Sequence, residues 1–148
     1  DLADAIRGLG IGVDIRPELT GKDTQFGSLE EIVELAAGID AVAPCIDWSH
    51  LHARDGACNT AIEFGKVLDF IGERLGDAAL QRCHMHISGI DYGKKDEKKH
   101  LPLDESDMNY RDLLRGLKDY GVAGFLICES PVLEDDARRL KDVYLSLD

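Results

Sequence analysis

No CxxC spacing occurs among Cys45, Cys58, Cys83 and Cys128, so the cysteines indicate neither a zinc knuckle nor a disulfide frame. Three of them fall in apolar, strand-like segments, where a free thiol behaves as a small buried hydrophobe in a reducing compartment. Every apolar run stops well short of the roughly 20 residues needed to span a bilayer. No basic segment followed by an apolar stretch opens the chain, so no membrane role is indicated and the cytoplasm is the expected location. Basic residues are also scarce, with 17 Lys and Arg against 29 Asp and Glu and a net charge of −12. That balance excludes nucleic-acid binding through a general basic surface. It leaves room for an enzyme whose acidic site is offset by bound cations and whose basic groups are local, as in Lys94, Lys95, Lys98 and Lys99. No GxGxxG or Walker sequence follows any strand-like segment, which removes the best support for a nucleotide-binding doubly wound sheet.

What is present is a chain of 148 residues, 44% apolar and 31% charged, ordinary for a soluble globular protein and sized for one domain or part of a larger one. It opens on Asp1 rather than methionine, and the expectation is a piece of a longer polypeptide. Asp1 to Arg7 reads as a helix stopped by Gly8 and Gly10, and Ile11 to Glu18 as a strand. After a polar loop, Ser28-Leu29-Glu30-Glu31 has the spacing of a capping box and predicts a helix to about Ala37. The spacing then predicts a strand over 40–47, a loop over 51–58, and a helix through Ile62, Val67, Leu68, Ile71 and Leu75 closed by Gly76. A strand over 80–89 carries Arg82, His84, His86 and Ser88 on one face and Cys83, Met85 and Ile87 on the other. A long polar loop over 90–107, a helix ending at Gly121, a strand over 122–129 and a helix over 133–147 complete the chain.

Strands alternating with helices of this length indicate βαβ units and a parallel sheet. Four such units make half of a (β/α)8 barrel, and residues 1–148 are expected to form one such half. A half barrel leaves two open sheet edges, so either an N-terminal half or self-association between copies is expected to cover them.

In such barrels chemistry sits at the C-terminal ends of the strands. Those ends supply Glu18, Asp47, His86 and Glu129, and side-chain parity lets all four point into one pore mouth. Three carboxylates crowded together repel unless protonated or neutralised, so a divalent cation is the economical explanation. One imidazole with three carboxylates suits zinc, manganese or iron at a catalytic rather than a closed structural site. His50 and His100 add imidazoles near the same rim. His84 reads as a supporting group one pleat deeper, and His52 as a surface residue.

The ordered series Pro17-Glu18, Cys45-Ile46-Asp47-Trp48-Ser49-His50, His86-Ile87-Ser88-Gly89 and Cys128-Glu129-Ser130-Pro131 resembles the C-terminal half of endonuclease IV-type apurinic/apyrimidinic endonucleases, within the xylose isomerase-like barrel superfamily. The resemblance covers essentially the whole chain. It implies zinc, with manganese as the alternative, in two or three ions per full-length protein, and hydrolysis of the phosphodiester 5′ to abasic sites in DNA. It further implies that Glu18 bridges cations, that Asp47, His86 and Glu129 hold one beside it, that His50 and His100 hold another, and that Glu129 orients the attacking oxygen.

Two departures stand out. That family places a carboxylate two residues before the histidine matching His100, and here the residue is Lys98, with Glu97 adjacent. Two histidines of the N-terminal half have no counterpart in these residues, so the chain alone is expected to bind metal weakly and to cleave poorly or not at all. The competing reading is a metal-dependent sugar isomerase or epimerase of the same superfamily, which needs only the Glu18, Asp47, His86 and Glu129 set. A third is an inert module whose carboxylates merely line a polar pore.

Overall fold

The computed structural model describes residues 2–10, 12–94 and 96–147. Helix α1 (Leu2–Gly8) leads into a segment over 12–18 that runs beside β1 (Cys45–Asp47). The strand expected over 11–18 is reduced to parallel bridges at Ile15 with Val42 and Glu18 with Cys45, and Ile11 and Asp1 lie outside the described residues. Proline chemistry explains the interruption. The Ile15 and Leu19 amides donate to Ala41 O and Cys45 O, and Pro17 O accepts from Cys45 N, but Pro17 has no N–H to continue the ladder.

Helix α2 (Leu29–Gly38) begins with the expected capping box: the Glu31 amide donates to Ser28 Oγ at 3.2 Å, and the Ser28 amide donates to Glu31 Oε2 at 3.0 Å. After β1 comes α3 (Trp48–Asp55), then α4 (Ala61–Leu75) and the short α5 (Asp77–Leu80). Strand β2 (Cys83–Ile87) is followed by β3 (Gly89–Tyr92) and β4 (Glu97–Leu101), then a 3-10 turn, α6 (Tyr110–Asp119), β5 (Gly124–Cys128) and α7 (Glu134–Ser146).

Two expected loops are thus structured. Residues 51–58 mostly belong to α3, which lacks an apolar stripe in its sequence and is started instead by Asp47, whose Oδ1 accepts from the His50 amide at 2.7 Å. Residues 90–107 contain the antiparallel β3–β4 hairpin, whose charged sequence hides its pairing.

Strands β1, β2 and β5 form a parallel sheet in that order, with Cys45 opposite His84, Asp47 opposite His86, and His86 opposite Ile127. Partners across a ladder share a face. Ile46, Cys83, Met85 and Ile87 therefore turn to the helices, where they join Ile32, Trp48, Phe64, Leu68, Leu113 and Leu140 in the core. Trp48 and Phe64 pack edge to face with ring centroids 5.7 Å apart. The opposite face carries His84 and His86 together with Phe125 and Ile127, which are 71% and 41% exposed. This is the inner face of half a barrel.

Candidate metal centre

The C-terminal ends of the strands place four ligand-capable groups together. Glu18 follows Pro17 on the first segment, Asp47 closes β1, and His86 lies near the end of β2. Glu129 follows β5, where its amide donates to Ile87 O at 2.9 Å and extends the ladder by one residue. One ligand atom from each of Glu18, Asp47, His86 and Glu129 lies within 4.8 Å of the others. His86 Nδ1 is 3.1 Å from Glu18 Oε1 and 3.3 Å from Glu129 Oε1. Asp47 is 1% exposed, and burial pushes its pKa up to about 6, while the charge and amide of His50 pull it down and Glu18 and Glu129 push it further up. A buried carboxylate beside two others is the environment that a divalent cation relieves.

Cys45 and His84 lie behind this cluster, opposite one another across β1 and β2, and with His86 they form a second close group. Burial, followed by the charges of Glu18, Asp47 and Glu129, raises the Cys45 thiol to about 12, so it stays protonated. Burial and the neighbouring His86 and Arg16 lower the pKa of His84, against a smaller upward pull from Glu18. Its ring centroid is 5.3 Å from that of His86.

Beside the four-residue cluster sits a second group built on α3 and the hairpin. His50 Nδ1 lies 3.1 Å from Leu19 O and 3.2 Å from Asp47 Oδ2, while His100 Nδ1 lies 3.0 Å from Glu129 O. These partners only accept, so a hydrogen on each Nδ1 satisfies them, and a ring holding that hydrogen presents its Nε2 to the other side. The two Nε2 atoms are 3.4 Å apart, and Glu97 Oε2 is 3.1 Å from that of His50. Glu97 and His100 thus both meet His50 at its Nε2. Histidine ligands whose other ring N–H is held by a backbone carbonyl are the usual arrangement in metal sites.

Glu97 reaches this position because of a β-bulge. Asp91 pairs with Lys99 and Tyr92 with Glu97, so Lys98 is the extra residue, and its ammonium lies 3.5 Å from Asp91 Oδ1 at the surface. The bulge thereby brings the carboxylate of position 97, rather than the side chain of Lys98, beside His50. Only the adjacency of Glu97 hinted at this in the sequence. Lys94, Lys98 and Lys99 lie on the same hairpin, and Lys95 is outside the described residues.

His52 corrects an expectation. It is 2% exposed rather than a surface residue, with Nδ1 2.7 Å from Ala57 O and Nε2 3.2 Å from Asp107 Oδ1. Its ring packs edge to face on Tyr92, which donates to Asp107 Oδ2 at 2.7 Å.

Residues 1–145 match the family described as xylose isomerase-like TIM barrel. The chain belongs to that family. It is 46% identical over 147 residues to "Uncharacterized protein MJ0133" of Methanocaldococcus jannaschii, covering 99% of this chain and 54% of that protein. The chain therefore spans about half the length of the relative it matches. Among solved structures, that of AsfvAP:AG superposes with a TM-score of 0.63 at 12% identity, over 96% of this chain and 56% of the other. The catalytic domain of a mannanase from Streptomyces sp. SirexAA-E gives a TM-score of 0.52 at 18% identity, over 98% of this chain and 48% of the other. At these identities the structural likenesses establish the fold alone. The family contains metal-dependent enzymes, AP endonucleases and sugar-processing enzymes among them. Among the described residues no helix is long and apolar enough to cross a membrane.

Proposed function

We propose that this chain carries the cation-binding mouth of a multinuclear phosphodiesterase that cleaves DNA 5′ to abasic sites, working in the full-length protein with an N-terminal half that covers the open sheet edges. The observation that carries this reading is the pairing of two ligand groups. Glu18, Asp47, His86 and Glu129 lie close enough to hold one cation, and His50, with Glu97 and His100 each within 3.4 Å of its Nε2, would hold another. Zinc suits this mixture of imidazoles and carboxylates. In such a site divalent cations lower the pKa of water and offset phosphate charge.

The residues divide the remaining work. Glu18, whose Oε1 lies 3.1 Å from His86 Nδ1, belongs to the first group and is the carboxylate that would bridge to a further cation. Glu129, partly exposed at the end of β5, takes the proton of the attacking water and orients its oxygen. Asp47 joins the chemistry to the fold, since its Oδ1 caps α3 while Oδ2 faces His50. Lys94, Lys98 and Lys99 on the hairpin meet the phosphate backbone, a local basic contact on an acidic protein.

A second reading is a sugar isomerase or epimerase. The four-residue cluster favours it, because that set suffices for one cation. Elemental analysis of the zinc-loaded full-length protein and a nicking assay on abasic duplex DNA separate the two. Two or more ions with nicking that Glu18→Gln abolishes are expected. One ion with no nicking would favour the sugar enzyme, and undiminished nicking by the variant would refute the role of Glu18.

A further inference from the structure

Arg54 lies one helical turn beyond His50 on α3, so the two side chains leave the same face of the helix. It is 8% exposed, and its guanidinium is spent on one loop. Nη1 donates to Thr20 O at 3.1 Å, Thr20 Oγ1 at 3.1 Å and Lys22 O at 2.7 Å. Nη2 donates to Asp23 O at 3.4 Å and Gln25 O at 3.1 Å. Burying a cation is costly unless its donors are satisfied, and here backbone carbonyls satisfy them. Only a planar five-donor fork can close over four carbonyls of one short loop; a lysine ammonium cannot.

The loop so held begins right after Glu18 and touches the second ligand group at two points. Leu19 O lies 3.1 Å from His50 Nδ1. Gly21 N donates to Glu97 Oε2 at 3.0 Å, and Gly21 O accepts from Glu97 N at 3.2 Å, while Lys22 bridges to Asp96. The fit is close enough that a methyl group on Gly21 would overlap the Glu97 side chain. The bulge at Lys98 turns Glu97 toward His50, but this loop decides where its carboxylate stops.

We propose that Arg54 is a positioning residue for the second cation. By clamping residues 20–25 it sets the Glu97 carboxylate beside the His50 ring at the distance needed to share an ion, without touching the ion itself. The proposal rests on the reading that His50, Glu97 and His100 hold a cation. Its distinctive consequence is selectivity: the Glu18, Asp47, His86 and Glu129 site does not depend on the clamp.

The test is zinc titration of the metal-free full-length protein by calorimetry, with ions per chain counted by elemental analysis. Wild-type protein should bind in at least two classes; if it binds one ion only, the underlying two-site reading fails before any variant is made. Arg54→Ala should weaken one class by about 10–100-fold, the range seen when groups that orient metal ligands are removed, and leave the other unchanged. Arg54→Lys should behave like Arg54→Ala despite its charge, and guanidinium at low concentration should restore binding to Arg54→Ala. Combining Arg54→Ala with Glu97→Gln should be no worse than Glu97→Gln alone. Gly21→Ala, which disturbs the loop with Arg54 intact, provides the same reading if Arg54→Ala does not fold. Equal weakening of both classes, no weakening of either, or multiplicative losses in the double variant would overturn the proposal.

Discussion

Glu97 Oε2 lies 3.1 Å from His50 Nε2, although Lys98 occupies the place two residues before His100. A one-residue bulge thus turns Glu97, and not Lys98, toward His50. The relationship yields the first prediction. Glu97→Gln should remove one zinc ion from the full-length protein, while Lys98→Ala should keep the count and weaken only the salt-dependent part of DNA binding. Elemental analysis with binding measured at two ionic strengths checks both. Loss of an ion in Lys98→Ala would contradict the assignment.

Asp47 gives a pH dependence whose sign follows from burial. Its folded pKa of about 6 lies above the ordinary 3.8, so in metal-free protein it favours the fold below about pH 4. That contribution is lost as pH rises through about 6, and is worth roughly 3 kcal/mol at full size. Metal-free protein should therefore melt at a higher temperature near pH 5 than at pH 7. Asp47→Asn, which keeps the oxygen that caps α3, should flatten the difference. Zinc reverses the preference, since it needs the carboxylate ionised, and its affinity should fall as pH drops below 6. Scanning calorimetry with and without chelator reads both trends, and an unchanged pH profile in the variant would sink this account.

Ser49 should prove a structural hinge between the two ligand groups. Its Oγ donates to Ser88 O at 2.7 Å and accepts from Ser88 N at 2.8 Å, pinning α3 to the end of β2. Both serines are buried, so Ser49→Ala strands two backbone groups away from water. A loss of about 1–3 kcal/mol is expected in urea unfolding. A stability within error of wild type would mean that water replaces the hydroxyl.

Much of the architecture was legible because it rests on local rules. The Ser28 and Glu31 capping box starts α2 as its spacing requires. The alternation of Cys83, Met85 and Ile87 with His84 and His86 sorts β2 into a core face and an inner face, as the buried and half-buried pattern of the strand shows. Elements whose partners are distant depart from what their local sequence predicts. Helix α3 has no apolar stripe and is started by Asp47, a residue whose value in the sequence was chemical. His52 is buried because Ala57 O and Asp107, 5 and 55 residues away, satisfy its ring.

By itself, the sequence determined the alternation of the parallel strands with the longer helices and which acidic and imidazole groups stand at strand ends, because side-chain parity and periodicity are properties of neighbours in the chain. Tertiary structure decided which groups meet. A bulge chose Glu97 over Lys98, backbone carbonyls from other elements chose which nitrogens of His50 and His100 face inward, and Arg54 closed a loop that precedes it by about thirty residues. Those choices depend on hydrogen bonds between segments far apart in sequence, and no local pattern encodes such distances.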